Sequence, residues 1–404
     1  MAGPGRRSDP QLIAAMAATV VLRVVAVVGR HVYFYVDSID YETLDFTGRA
    51  RRPWVTPLLF WLVRDAHARV LFQAVIGAGA WVVLAAEVGA CIQDRTVRRL
   101  AVLGILALSL TTSITNWDTT MLSESLALSS TALLIAAFLR FSRKPSAGAV
   151  AFVAVASVLW VFTRQTSLLI DWLVVASAAV ALIVTVVRRR TVPRTGAVLV
   201  GVLFVVAVMA TISYGRNDEV RRFNLAMVVG ARVVTDAEAL HWFRGHGMPL
   251  PDTVIPGFPV APEPLLADPA FASWVDRDGL STYVQFLVEH PWATLTAPLE
   301  DLVTHRTSYA DPPTHDETML STADAYGSSR PVIPEPLETL LFDPGGTGTV
   351  LAGLVAVLVL TGLSWQREGW DRRWLVPLLA VVLQWPALTI VWHTSTAELG
   401  RLAL

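Results

Sequence analysis

"TGAVLVGVLFVVAVMATISY" (195–214) runs for twenty residues without a charge. A bilayer hydrocarbon core of about 30 Å takes about 20 apolar residues of α-helix to cross, so this stretch reads as a transmembrane span. Comparable runs fall near 11–29, 68–92, 98–115, 120–141, 148–163, 169–187, 347–364 and 374–392, which brings the expected number to about nine. The run at 169–187 is separated from its predecessor only by the short polar break inside "FTRQTSLLID" (162–171). The fold class that follows is an all-α polytopic membrane protein.

Composition agrees. Of 404 residues, 54% are hydrophobic and 16% charged, with a mean hydropathy of +0.53. Soluble domains carry about 25% charged residues. A net charge of −1 and the lack of a Lys/Arg-rich arm give no reason to expect a nucleic-acid partner. Membrane lipid is the expected solvent. Nearly all basic residues are Arg, with Lys144 the single lysine, and Cys91 is the single cysteine, which excludes an intrachain disulfide and a Cys-based metal site. Arg6 and Arg7 precede the first apolar run as in a signal peptide. No small-residue cleavage site follows and the run is long for such a segment, so it is read as a retained helix.

Basic clusters mark the cytoplasmic side of membrane proteins. Here they are Arg6–Arg7, "DRTVRR" (94–99), "RFSRK" (140–144), "RRRTVPR" (188–194) and "QREGWDRR" (366–373), at every second helix end. The N-terminus is then cytoplasmic, in a plasma membrane. Loop 30–67, the turn at 116–120, the break at Arg164 and segment 215–346 are extracytoplasmic. The organisation expected is an N-terminal membrane module over 1–214, the outer segment 215–346 with short helical and irregular stretches, and C-terminal helices with an outer tail over 347–404.

The first outer loop holds more than a connector needs. "HVYFYVDSIDYETLDF" (31–46) places Asp37, Asp40, Glu42 and Asp45 within nine residues. "RRPWVTPLLFWLV" (51–63) is apolar but too short to cross, and its Trp54 and Trp61 suit a helix lying in the interface.

With Asp37-Ser38 and Tyr41 in that loop, "LSESLAL" (122–128) opening a helix, "FTRQTSLL" (162–169) and a large late outer segment containing "WFRGHGMPLP" (242–251), the chain resembles the GT-C superfamily of polytopic glycosyltransferases, actinobacterial members included. The dolichyl-phosphate-mannose-dependent mannosyltransferases are one branch. The resemblance implies an enzyme that takes a hexosyl or pentosyl unit from a polyprenyl-phosphate donor on the outer face and moves it to a glycan, lipid or protein acceptor of the cell envelope. It implies Asp37 as the general base for the acceptor hydroxyl, with Asp40 in support, work a carboxylate near low-dielectric lipid can do. It also implies Arg164 as a contact for the donor phosphate. A solvated acidic loop is the plain alternative for the carboxylates.

The leaving phosphate calls for cations or N–H donors. Arg164 serves that purpose or reaches to lipid headgroups. Arg49, Arg51 and Arg52 lie outside against the charge rule, and Arg52 either joins the donor site or binds anionic lipid with its neighbours. Arg23, inside the first span, is expected to pair with an acid such as Glu87. Glu124, with Asp118 just before it, either orients the sugar, accepts from an Arg, or merely favours a helix N-terminus. His393, Glu398 and Arg401 beyond the last span are candidates for the phosphate or a frayed tail, and Tyr41 is a supporting group. No metal centre is assigned. His241 and His246 lack a helical ligand spacing, HExxH is absent, and "THDET" (314–318) with Asp311 is either a divalent-cation site or a polar loop. No GxSxG, P-loop or Rossmann glycine pattern occurs. Two further readings are a transporter or flippase of lipid-linked sugars, and a non-catalytic scaffold of envelope assembly.

Overall fold

A computed structural model describes residues 9–34, 36–189, 193–304, 329–334, 336–338, isolated positions between 355 and 366, and 375–394. Within these residues the chain is helical, and its strand-like pairing is one parallel bridge between Tyr33 and Thr120.

The first helix, α1 (Pro10–Val27), starts where the Asp9 side chain accepts from the Gln11 amide and Pro10 fills the first turn. A short 3₁₀ helix follows at Val36–Tyr41, then α2 (Val55–Leu62) and α3 (Ala66–Cys91), capped by Asp65. Next come α4 (Arg95–Leu108), capped by Asp94, α5 (Thr112–Asp118), α6 (Glu124–Arg143), α7 (Ala147–Val161), capped by Ser146, α8 (Ser167–Arg189) and α9 (Arg194–Tyr214).

The centre of the bundle is α3, packed chiefly on α6 and also on α4 and α1. Its inner face is built of small residues, among them Ala74, Gly77, Ala78 and Ala85, which let backbones approach closely. A Cβ at Gly77 would overlap the Arg23 guanidinium, so this position has room only for hydrogen. One end of the bundle is tied by ion pairs. Asp9 binds Arg99 at 2.9 Å and Arg95 at 3.6 Å, and Glu87 binds Arg143 and Arg140. Arg99, by hydrogen bonding and charge, holds the Asp9 carboxyl below its ordinary pKa.

Among the described residues five helices, α1, α3, α6, α8 and α9, are long and apolar enough to cross a membrane, and a sixth span results if α4 and α5 count as one. Two of the nine expected runs depart from a single long helix for physical reasons. The expected span at 98–115 is broken: α4 and α5 meet at 49°. Ser109 and Thr111 turn their hydroxyls onto the carbonyls of Leu106 and Leu108, which competes with helical bonding, and Arg23 takes the Ser109 carbonyl at 3.4 Å. The run at 148–163 forms a helix of 15 residues, about 22 Å long at 1.5 Å per residue. The run at 347–364 lies largely outside the described residues, while 374–392 does form a helix, α16 (Leu375–Thr394).

Between α9 and α16 the outer segment folds into α10 (Asp218–Val228), a π turn (Val229–Val233), α11 (Ala237–Gly245), α12 (Pro262–Ala267), α13 (Pro269–Trp274), α14 (Leu280–Glu289) and α15 (Pro291–Thr304). It has its own apolar core around Val229, Phe243, Leu265, Phe271 and Trp274. Residues 329–334 and 336–338 return to the bundle. Ser329 bonds to Asn116 and Thr115, the Arg330 amide donates to Ala26 at 2.8 Å, and Glu338 accepts from Thr112 at the start of α5.

Candidate functional site

Three separated pieces of chain meet at the end of the bundle where α6 begins. The first is the 3₁₀ turn Val36–Tyr41. It is positioned by the Tyr33–Thr120 bridge, in which Tyr33 donates to Thr119 at 3.0 Å and accepts from Met121 at 2.9 Å. The second is the start of α6, with Ser123 and Glu124. The third is the turn between α7 and α8, with Arg164; the Val55 amide donates to Phe162 at 3.2 Å and so fixes this turn to α2.

Tyr41 is the hinge of the arrangement. It is 4% exposed, its hydroxyl donates to Ser123 Oγ at 3.1 Å, and its ring packs on Phe60. The Arg52 guanidinium lies 5.3 Å from the ring centre. Burial raises the phenol pKa, the nearby Glu124 charge adds to that, and Arg52 and Arg164 oppose it. Asp40, one residue earlier, pairs with Arg52 at 3.5 Å and with Arg51 at 4.0 Å. Glu124, 2% exposed, accepts from Arg164 Nη2 at 3.2 Å. That bond uses one nitrogen, and no described residue accepts from Nε or Nη1 of Arg164. The site therefore presents two guanidinium groups, both partly exposed, and two carboxylates at one end of the bundle.

The acids of the opening stretch divide by role. Glu42 is a structural partner of Arg69, bound at 2.6 Å, while Arg69 also donates to the carbonyls of Val63 and Phe60 and covers the Phe60 ring. Asp45 caps its own loop, accepting from the amides of Thr47, Arg49 and Ala50 at 2.7–2.9 Å. Those bonds, Thr47 first, hold its carboxyl below the ordinary value. The loop is fastened to the outer segment by Arg51–Glu219 at 2.7 Å and by Asn217, which donates to Ala50 at 2.8 Å. Asp37 lies at the second position of the 3₁₀ turn, and its side chain is outside the described residues.

The remaining candidates are dispersed. Asp118 is fully buried and pairs with Arg23 through two bonds of 2.8 and 3.0 Å, while Ser125 donates to it at 2.6 Å. The expected Arg23–Glu87 pair is thus replaced: Glu87 lies about three turns farther along α3 than Gly77 and meets Arg140 and Arg143. His393 is in the last turn of α16 rather than beyond it, bonded to the Tyr283 hydroxyl at 2.9 Å and to the Thr294 carbonyl at 3.0 Å. It anchors the outer segment to the final helix. Glu398, Arg401 and the stretch Asp311–Glu317 fall outside the described residues. Of the interfacial helix expected at 51–63, residues 55–62 are helical. Trp61 is exposed, whereas Trp54 turns inward onto Phe162.

Among the described residues no group of three or more His, Cys, Asp or Glu side chains is placed to hold a metal ion. Ser123 and Arg69 were not singled out from sequence. A Ser directly before Glu124 at a helix start was the available signal for Ser123. Comparison of the chain with protein-family models and with curated proteins finds no match. The class that fold and site define is a helical protein with several apolar helices able to span a membrane, carrying a paired Arg/carboxylate site at one end of the bundle.

Proposed function

We propose that this protein is a glycosyltransferase of the outer membrane face, using a polyprenyl-phosphate sugar as donor and a glycan, lipid or protein as acceptor. The observation that supports the reading best is the convergence of Asp40, Tyr41, Arg52, Glu124 and Arg164, from three parts of the chain, around the turn that carries Asp37. In this reaction the Asp37 carboxylate takes the proton of the acceptor hydroxyl. The acceptor oxygen forms its bond to the anomeric carbon as the bond to the phosphate oxygen breaks, and the electron pair leaves with the phosphate. Arg164, through its uncommitted nitrogens, and Arg52 stabilise that growing charge. Asp40 and Glu124 hold the two guanidinium groups in place until phosphate arrives.

The test is transfer from a panel of polyprenyl-phosphate sugars by purified protein in lipid, with wild type and Asp37→Asn in parallel. Loss of transfer in a folded Asp37→Asn protein is the expected result. Retained transfer removes Asp37 as base and moves that role to Asp40. A wild type inactive with every donor argues against the enzyme reading.

One observation favours the transporter reading: the broken α4–α5 pair with the buried Arg23–Asp118 pair at its break, since discontinuous helices mark transporter sites. Against it, Arg23 and Asp118 satisfy one another, and neither offers a substrate an open bonding position. Movement of a lipid-linked sugar across protein-containing vesicles, without transfer, would establish this second reading.

A further inference from the structure

Asp171 lies at the fifth residue of α8 and is fully buried. Neither carboxyl oxygen has a hydrogen-bond partner among the described residues. Isolated buried carboxylates are strongly disfavoured, and in a membrane-spanning helix they mark function. The charge on such a group must be balanced by a neighbouring cation, a bound ion or a proton.

The helices packed on α8 are α7, α9 and α16. No titratable residue occurs in α7, "AGAVAFVAVASVLWV". From α9 the group near Asp171 is the Tyr214 phenol, which donates to the Val161 carbonyl and carries no positive charge. Arg194 starts α9, 20 residues before Tyr214 and so about 30 Å away along the helix. In α16 the single titratable residue is His393, committed to Tyr283 and Thr294. Within α8 the cations are Arg188 and Arg189, 17 and 18 residues on, at least about 25 Å distant. Arg164, in the turn before α8, is paired with Glu124. Among the described residues no protein cation is placed to balance Asp171.

A metal cation fits poorly. Hard cations take about six oxygen ligands. The polar side chain shown to act on Asp171 is the Tyr214 phenol, which is committed to the Val161 carbonyl. Helix carbonyls are taken by helical bonds.

We propose that Asp171 is a proton-binding site, carried as a neutral carboxylic acid within the packing of α7, α8 and α9. The step is a single protonation: a carboxylate oxygen and one proton form one O–H bond. The proposal does not rest on the sugar-transfer reading.

Infrared spectroscopy of the full chain in lipid tests this directly. At neutral pH the wild type should show the C=O stretch of a protonated carboxylic acid, shifted on exchange into D₂O and absent from Asp171→Asn. Asn reproduces the shape of the neutral acid, so Asp171→Asn should melt within a few degrees of wild type. As a second measurement on the wild type alone, that band should persist to higher pH than the bands of exposed carboxyls. A wild type without the band at neutral pH, or a band unchanged in Asp171→Asn, overturns the proposal. A missing band together with a melting temperature that rises when sodium replaces choline at fixed ionic strength assigns the site to sodium and equally overturns it.

Discussion

Replacing Asp118 with Ala should be among the most damaging single substitutions in the membrane bundle. Arg23 and Asp118 are both fully buried and joined by bonds of 2.8 and 3.0 Å. Their removal from solvent is tolerable because each satisfies the other. Without Asp118, the guanidinium keeps, among the described residues, a long bond of 3.4 Å to the Ser109 carbonyl. Stranding one member of a buried pair costs about 3–5 kcal/mol. The lost Ser125 bond, at 2.6 Å to the same carboxylate, belongs within that figure rather than on top of it. At about 1.4 kcal/mol per decade, the folding equilibrium shifts by two to three orders of magnitude or more. Arg23→Met should cost a similar amount by stranding Asp118. The double variant Arg23→Met/Asp118→Leu replaces the pair with apolar groups, an exchange that is often neutral or stabilising. It should therefore be far more stable than the two single losses predict, with a coupling energy of about 3 kcal/mol. Reversible unfolding in mixed micelles, titrated with a denaturing detergent, measures all four corners of the cycle. An Asp118→Ala cost below about 1 kcal/mol, or a double variant no better than the sum of the singles, would refute the argument from stranded charge.

Gly48 has φ +81°, and a Cβ there would overlap the Ser213 carbonyl oxygen. Gly48→Ala should lose about 1–2 kcal/mol of local stability from backbone strain alone, and limited proteolysis should cut loop 45–52 faster; an unchanged cutting rate would contradict the contact. Asp45 has a lowered carboxyl pKa, so the folded loop binds fewer protons than the unfolded chain near the ordinary value of about 3.9. Its stabilising contribution should be complete above that pH and fade as pH falls through the depressed value, with Asp45→Asn losing that part of the acid sensitivity when melting is followed against pH. Arg164→Ala removes an ion-pair partner of the buried Glu124 and should cost about 2 kcal/mol, less than a fully buried pair because Arg164 is partly exposed. Adding Glu124→Gln should recover the stability while leaving sugar transfer lost, and recovered transfer would remove Arg164 from the proposed donor site.

Helix existence was legible where apolar runs were long: 195–214, 68–92 and 169–187 correspond to α9, α3 and α8 within a few residues. The break inside 98–115 was not, because hydropathy is blind to Ser and Thr hydroxyls that compete for helix carbonyls. Its cause includes Arg23, 86 residues away from Ser109. Pair partners behave the same way. Arg23 and Glu87 both looked like charges in need of partners, but which acid meets which base depends on helix rotation and depth. Gly77 set that depth, since only a residue lacking Cβ admits the guanidinium toward Asp118. For Glu124, accepting from an Arg was one of three readings left open, and the partner, Arg164, was not identifiable from sequence because the two meet only once α6 and the turn before α8 are packed together. Asp45 and Glu42 could not be told from Asp40 by composition: their roles rest on backbone amides and on Arg69, contacts made only after the loop closes.

The division of those four acids narrows what the loop can do. Asp45 spends its oxygens on three amides, and Glu42 spends its on Arg69, so both are fixed as scaffold. Asp40 stands opposite Arg51 and Arg52, where an arriving anion competes for the same guanidinium groups. An acid whose partner is drawn away by phosphate is released to act on another donor. Under the proposed reaction, donor binding at Arg52 would free Asp40 close to the turn carrying Asp37, and the two carboxylates would then share the acceptor's proton between them. Asp40→Asn should accordingly weaken transfer less than Asp37→Asn while tightening the donor, because Arg52 would no longer be held by a competing carboxylate. A donor KM unchanged in Asp40→Asn would separate Arg52 from the phosphate and leave Arg164 as the cation that receives it.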